Sequence, residues 1–424
     1  MPSPSASCTH KPALVVIGNG MAGARSVEEL LKLCPDKYQI TMIGEEPRVN
    51  YNRILLSPVL AGEKQLGEII LNDHDWYEHH RIRLISGDPA VAIDRRNKQV
   101  KTAKGHCVSY DRLIIATGSR PNIIPFPGHD LNNVMGFRTM DDVNHMLSVS
   151  QSQRHAVVIG GGLLGLEAAN GLQQQGMEVT VIHNSAFLLN RQLDQQAAEL
   201  LQQALSRKGV QFCLGASIEC LLGDEQNQVT HVQLQDGRLI PAKLVVFATG
   251  VIPNKELAEK SGIYCEGGIV VNDALQTYDP AIYAVGECVQ HRGELFGLVA
   301  PLFQQAKVCA NHLAEWGCHH YRTTPMATQL KVTSIDVYSA GNFLGDETSQ
   351  TITYFDRDLS IYKKLVIHND QLTGVVLYGD IRDGAFYFDL IQQQTNINAI
   401  REQLIFGRDA CEQHRDLEST PCAA

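Results

Sequence analysis

One nine-residue run occurs twice in this chain, and nothing else in the sequence limits the possible folds as strongly. Val15-Val16-Ile17-Gly18-Asn19-Gly20-Met21-Ala22-Gly23 returns 142 residues later as Val157-Val158-Ile159-Gly160-Gly161-Gly162-Leu163-Leu164-Gly165. Each copy is followed by its own Ala-Thr-Gly-x-x-Pro-Asn, at Ala116-Thr117-Gly118 to Asn122 and at Ala248-Thr249-Gly250 to Asn254. Before each glycine run lies a β-branched stretch. After it come a helix-forming stretch (24–33 and 166–175) and a second strand-like stretch (39–43 and 178–182). Glycines in that setting predict two βαβ units, each opening a helix toward a ligand.

The chemistry follows from what glycine permits. Gly18 and Gly160 allow the tight turn from strand to helix, Gly20 and Gly162 let backbone approach a pyrophosphate, and Gly23 and Gly165 let the helix pack on the strand. The first turns, with Met21 and Ala22 in one copy and Leu163 and Leu164 in the other, offer unspent N–H groups and the positive end of a helix dipole. Two units imply two dinucleotides. After the second strand of the first unit, Glu45 stands where a carboxylate should accept from a ribose diol, with Glu46 in reserve. The second unit has His183-Asn184 at that place and no acid, while His183 and Arg191 can approach a 2′-phosphate. NADH and NADPH both stay open.

Composition narrows the class further. With 36 Lys and Arg against 46 Asp and Glu, the net charge is -10, which supplies no phosphate-neutralising surface for nucleic acid. No apolar run reaches the ~18 residues that span a bilayer, so no membrane partner is expected. The eleven cysteines are scattered, with no Cys-x-x-Cys or Cys-x-x-x-x-Cys pair. That pattern predicts a reduced, cytoplasmic chain without an iron–sulfur, zinc-ribbon or dithiol motif of its own. His79-His80 and Cys318-His319-His320 lack paired ligands at helical spacing, and no metal is assigned.

Together with Tyr278-Asp279-Pro280-Ala281-Ile282-Tyr283-Ala284-Val285-Gly286-Glu287, the doubled motifs resemble the pyridine-nucleotide-dependent flavoprotein reductases of the glutathione-reductase fold. A closer resemblance is to the flavin domain of the large subunit of NAD(P)H-dependent assimilatory nitrite reductases and to electron-transfer subunits of nitrate assimilation. It rests on residues 48–57, on 160–171 with Glu167, on Arg191-Gln192-Leu193-Asp194, on 283–293 and on 297–302, and it covers about residues 12–407. The fold it implies is α/β: two Rossmann-like three-layer nucleotide-binding domains and a small α+β C-terminal interface domain. The expected limits are 12–118 with 250–322 for FAD, 119–249 for NAD(P), 323–408 for the interface domain, and flexible tails at 1–11 and 409–424.

The resemblance also implies the cofactors, FAD and NAD(P)H, and the residues beside them: Val91, Ala116, Thr117, Gly118, Gly286, Glu287 and Pro301 on the flavin side, and Ala248, Thr249 and Gly250 near the second nucleotide. Gly286-Glu287 replaces the family's Gly-Asp, one methylene longer. Arg53 is placed over the flavin and Glu167 at the nicotinamide face, with an Arg53–Glu167 contact expected between these two catalytic candidates. Tyr51 is either a ring neighbour or core, and Trp76 and Tyr77 are assigned to packing. A helix over 300–316, with Pro301 in its first turn, would turn its dipole toward reduced flavin.

Full-length nitrite reductases add clustered cysteines for a [2Fe–2S] segment and a sirohaem domain, whereas only Cys411 and Cys422 lie late in this chain. The expectation is therefore the NAD(P)H-oxidising half alone. Hydride passes from nicotinamide to flavin, and electrons leave without thiol help to a redox partner protein. That partner is a nitrate or nitrite reductase, or is rubredoxin- or ferredoxin-like. A rubredoxin or ferredoxin reductase, a redox-sensing flavoprotein and an oxidase remain as alternatives, and the protein is a monomer or homodimer. In the last domain, strands are expected over 329–340, 351–355, 361–368 and 372–378, with a turn at His368-Asn369-Asp370 and a helical segment over 397–406. Lys363, Lys364 and Arg357 form a small basic patch there for an acceptor or a second subunit.

Overall fold

A computed structural model describes residues 11–323, 327–332 and 335–419. Of the N-terminal tail expected at 1–11, residues 1–10 lie outside the described residues. The chain divides into two compact units, one made of 1–56, 64–121 and 250–323 and the other of 57–63, 122–249 and 324–424.

In the first unit, the apolar strand Ala13–Ile17 pairs in parallel with Gln39–Ile43 on one side and Arg112–Ile115 on the other. The sheet is completed by Arg83–Ile85 and Ile282–Ala284 at its edges. Apart from the edge strand Arg83–Ile85, these strands are buried on both faces along most of their length, so they are mainly apolar runs with no polar alternation. Helix Met21–Leu33 presents Ala22, Ala24, Val27 and Leu30 to this sheet. It packs beside helix Val299–Leu313, which starts one residue before the expected segment and ends three earlier. Beyond Leu313 the chain turns through Glu315 at φ 65°, and Trp316 N–H donates back to the Asn311 carbonyl.

The second unit repeats the plan. His155–Ile159 lies between Glu178–His183 and Leu244–Phe247, with Gln211–Leu214 and Val134–Gly136 outermost, all parallel. Helix Leu163–Gln174 covers the sheet, and a three-stranded antiparallel sheet of Ile218–Gly223, Val229–Leu234 and Leu239–Pro241 adds a second apolar layer. Within this unit the C-terminal region forms a five-stranded antiparallel sheet.

That region departs from the expected pattern in four places. The segment foreseen as one strand over 329–340 is two, Thr328–Val332 and Ile335–Gly341, paired antiparallel, with 333 and 334 outside the described residues. Asn369-Asp370 marks a two-residue turn, with φ 49° and 57°, and joins Ile361–His368 to Gln371–Tyr378. The aromatic run Gly384–Gln392 is a helix, because Gly384 lets it close on the Tyr338 ring and Tyr387 buries fully, donating its hydroxyl to the Leu404 carbonyl at 2.8 Å. Residues 397–406, expected as a helical segment, supply two short 3₁₀ turns, Asn398–Ile400 and Leu404–Phe406. Arg408–Ser419 forms a helix, where the tail was expected from 409 on. Among the described residues no helix is long and apolar enough to cross a membrane.

Candidate functional site

The glycines of the first run occupy three different environments. A Cβ on Gly18, whose φ is 114°, would stand 2.1 Å from the Ala116 carbonyl oxygen, and one on Gly23 would stand 2.1 Å from the Gly18 carbonyl. Both positions are closed by backbone. A Cβ on Gly20 would meet nothing within 4 Å, and its φ of -82° suits any residue. Only something outside the chain can require glycine there. Gly20 caps helix Met21–Leu33 without a side-chain hydrogen bond, so the first N–H groups remain for a ligand.

Side chains remote in sequence hold this loop. Asn50 Nδ2 donates to the Asn19 carbonyl at 3.0 Å, and the Tyr77 hydroxyl donates to Asn19 Oδ1 at 2.9 Å. Tyr77, expected only to pack, therefore also fixes the loop; burial raises its pKa, and its hydrogen bond with Asn19 offsets part of the rise. Asn19 Nδ2 and Asn50 Oδ1 are buried with no protein partner, as polar atoms beside a ligand would be. The cradle fits a dinucleotide.

The acidic turn is clamped between segments 44–46 and 85–88. Gly44 N–H donates to Ile85, Gly87 N–H to Glu46 and Asp88 N–H to Gly44. Asp88, 1% exposed, accepts from Thr102 Oγ1 at 2.6 Å, His106 Nδ1 at 2.7 Å and Lys104 N–H at 2.8 Å. Burial works against its charge, but those donors outweigh it and hold its pKa down at about 2. Glu45 stands exposed at the tip. Glu46, the reserve, accepts from the Tyr51 hydroxyl at 2.8 Å and from Arg53, whose guanidinium lies 5.2 Å from the Tyr51 ring centre. Val91 is exposed on strand Ala90–Asp94.

Gly286, at φ 96°, brings the late strand against the same helix; a Cβ there would touch the Ala22 methyl at 2.9 Å. Its N–H donates to Oε1 of buried Gln305 at 2.8 Å. Glu287 accepts from Ser119 Oγ at 2.8 Å. Helix Val299–Leu313 begins without a side-chain cap, with Pro301 buried at its third position. Each Ala-Thr-Gly motif ties two segments of its own unit together. Thr117 Oγ1 donates to the Asn254 carbonyl at 2.6 Å and Asn254 Nδ2 donates back to the Thr117 carbonyl at 3.0 Å, while Thr249 Oγ1 donates to the Asn122 carbonyl.

The second cradle obeys the same rules. A Cβ on Gly160 (φ 122°) would stand 2.3 Å from the Ala248 carbonyl, one on Gly165 would stand 2.0 Å from the Gly160 carbonyl, and one on Gly162 would meet nothing within 4 Å. Leu163 and Leu164 open the helix. His183 lies over Gly161, and burial, offset in part by Asn190, lowers its pKa. Arg191 is exposed.

Glu167, in the second turn of that helix, accepts from Ser57 Oγ at 2.6 Å. Ser57 arrives on the 57–63 segment, which docks where Gly171 leaves room for Leu60 and where Gln175 Nε2 donates to the Leu60 carbonyl at 2.9 Å. Burial pushes the Glu167 carboxyl above its ordinary range, and the Ser57 hydroxyl pulls it part of the way back. Ser57→Ala should therefore raise it further. Because a raised acid is stabilising in its protonated form, stability should fall as pH rises from the unfolded-state pKa through the folded one, and in the variant that loss should continue to higher pH. Carboxyl ¹³C titration of Glu167 reads the shift, and an unmoved titration would refute the account. The expected Arg53–Glu167 pairing joins residues of different units; inside its own unit Arg53 is held by Glu46, and Glu167 by Ser57.

The basic patch foreseen on the last domain needs correction. Lys363 is 7% exposed between Asp380 and Asp383, each at 3.4 Å, and Lys364 reaches Asp194 at 3.5 Å. Asp194 also accepts from the Tyr362 hydroxyl at 2.7 Å and caps helix Gln195–Arg207 through Ala197 N–H. Two of the three cations are spent inside the second unit. Alternation along a strand separates its two faces but does not show that both are covered.

Comparison with known proteins places these cradles among relatives. Residues 12–311 match the family model described as pyridine nucleotide-disulphide oxidoreductase, and residues 325–395 match the rubredoxin NAD+ reductase C-terminal domain. The chain is 47% identical over 388 residues to nitrite reductase [NAD(P)H] of Bacillus subtilis, covering 92% of this chain and 48% of that protein. It is 46% identical over 395 residues to the assimilatory nitrate reductase electron transfer subunit of the same organism, covering 93% and 51%. It thus spans about half the length of the curated relatives it matches. Among solved structures, the covalent putidaredoxin reductase–putidaredoxin complex aligns with a TM-score of 0.84 at 25% identity, over 96% of this chain and 99% of that one.

Proposed function

Given that the chain belongs to the pyridine nucleotide-disulphide oxidoreductase family, we propose that it is an FAD-dependent NAD(P)H:acceptor oxidoreductase, the electron-transfer component of nitrate or nitrite assimilation. The observation that carries this reading is the duplicated cradle: two loops in which the first and third glycines are closed by backbone while the second faces open space. FAD, when bound, supplies the conversion of a two-electron hydride into electrons released singly.

The chain's own residues do the rest. Helix N–H groups after Gly20 and Gly162 hold the two pyrophosphates. Glu45 takes the adenosine ribose of FAD, and Glu287, steadied by Ser119, faces the ribityl chain. The uncapped start of helix Val299–Leu313 turns its positive end toward charge on the reduced ring. Arg53 and Glu167 serve the flavin and nicotinamide faces. With no Cys-x-x-Cys or Cys-x-x-x-x-Cys pair in the sequence, electrons go directly to an iron–sulfur or metalloenzyme partner; the similarity to an assimilatory nitrate reductase electron transfer subunit supports a protein acceptor. A second reading, reduction of rubredoxin or ferredoxin, is favoured by the C-terminal match over 325–395.

Anaerobic stopped-flow mixing of the FAD-loaded protein with NADH or NADPH, then with each candidate acceptor, tests both. Bleaching of the flavin by at least one coenzyme, and faster reoxidation by an iron–sulfur protein of nitrite assimilation than by rubredoxin, is the expected result. Bound flavin that neither coenzyme reduces would end the proposal.

A further inference from the structure

The loop of the second cradle is covered by the segment that leads into helix Gln195–Arg207. Leu189 donates its N–H to the Gly161 carbonyl at 3.0 Å. A Cβ on Gly161 would stand 2.7 Å from His183 Cδ2 and 2.9 Å from Leu188 Cδ2, so both side chains rest directly on the loop. Gly161 immediately precedes Gly162, the glycine that faces open space, and whatever fixes the one fixes the approach to the helix N–H groups behind the other. Leu188, Leu189 and Leu193 are at most 1% exposed. Leu189 sits at φ 49°, a left-handed conformation that a bulky side chain keeps only where its surroundings impose it. Gln192 and Leu193 N–H return to its carbonyl at 2.7 and 2.8 Å, which closes the turn.

Past the turn stands Asp194, 8% exposed, with both carboxylate oxygens in use. Oδ1 accepts from Ala197 N–H at 3.2 Å and caps the helix, while Oδ2 accepts from the Tyr362 hydroxyl at 2.7 Å and has Lys364 Nζ at 3.5 Å. Tyr362 lies 168 positions further along the chain, in the same unit. Strand alternation puts Tyr362 and Lys364 on one face of Ile361–His368 and Lys363 on the other, where it meets Asp380 and Asp383. One face of this C-terminal strand is therefore spent on the segment that covers the Gly161 loop. Neither residue reaches the cradle except through Asp194 and that turn.

We propose that the C-terminal strand Ile361–His368 positions the second nucleotide cradle through Asp194, with Tyr362 and Lys364 as positioning residues for the pyridine nucleotide. The inference rests on the reductase reading above, which puts that nucleotide in this cradle. The test compares the FAD-loaded native protein with Tyr362→Phe, Lys364→Met and, as a control, Tyr387→Phe. The control removes the same hydroxyl from the same C-terminal region, where it bonds the Leu404 carbonyl and has no part in holding Asp194. Anaerobic stopped-flow reduction at rising NADH or NADPH gives an apparent Kd and a limiting rate. Tyr362→Phe and Lys364→Met should raise the Kd about fivefold, the loss of one hydrogen bond, at an unchanged limiting rate. A merely structural contact would lower the melting temperature of all three variants and leave every Kd at the native value. An unchanged Kd in Tyr362→Phe, or an equal rise in Tyr387→Phe, overturns the proposal.

Hydrogen exchange follows the same tether without any redox step. Peptides covering 185–193 should exchange faster in Tyr362→Phe than in the native protein, while those covering the central strand 155–159 stay at the native rate; unchanged exchange over 185–193 refutes the tether. If neither coenzyme reduces the flavin, the reductase reading fails, and faster exchange confined to 185–193 still upholds the hold of Tyr362 on the Gly161 loop.

Discussion

Gly20→Val should give a folded protein that purifies colourless, and Gly162→Val should give one that stays yellow but is bleached by neither NADH nor NADPH. Both glycines lie at extended backbone angles, φ -82° with ψ -175° and φ -81° with ψ 178°, and a Cβ at either meets no protein atom within 4 Å. Valine is therefore tolerated by the chain itself. It occupies the space through which a pyrophosphate reaches the helix N–H groups, and loss of those charge-assisted bonds is worth roughly 3 kcal/mol, or about 100-fold in affinity. Flavin absorbance after gel filtration and anaerobic bleaching separate the two effects. Equal flavin loss in the two variants would show that the cradles are assigned to the wrong nucleotides.

Gly165→Ala should act on the fold and not on the ligand, lowering the melting temperature by roughly 10 °C, the consequence of about 3 kcal/mol of overpacking in a domain of this size. The added methyl would sit 2.0 Å from the Gly160 carbonyl oxygen, which is backbone and cannot swing aside, so helix Leu163–Gln174 must lift from its strand. Gly23→Ala repeats the experiment in the first unit, at 2.1 Å from the Gly18 carbonyl. Calorimetric melting that stays within about 2 °C of the parent, below what even 1 kcal/mol should produce, would contradict the packing described. Set beside the valine variants, these test two glycine positions of one motif, the second and the third, that share a sequence signal and differ in physical role.

The parts of the site legible in the sequence are those in which one short segment does the work. A strand, a glycine turn and a helix start follow each other within nine residues, so Gly18 to Gly23 and Gly160 to Gly165 declare both cradles. Glu45 is found by counting from them. Side chains that answer to distant partners give no such signal. Ser57 reaches Glu167 across 110 positions, Asn50 and Tyr77 converge on Asn19, and Thr117 meets Asn254 across 137. Lys363 and Lys364 follow a strand-like pattern whose covering layers are supplied by Asp380, Asp383 and Asp194.

Local stereochemistry is written residue by residue: which φ is allowed, where a helix starts, which strands are buried on both faces. For that reason the chain alone determined two nucleotide-binding βαβ units, an α/β architecture and a reductase-like chemistry without a dithiol. Which polar group completes which hydrogen bond depends on segments that meet only after folding, since a buried donor takes whatever acceptor the packing brings within about 3 Å. Tertiary structure therefore decided that Glu46 belongs to Tyr51 and Arg53, that Glu167 is tuned by Ser57, and that His183 lies against Gly161.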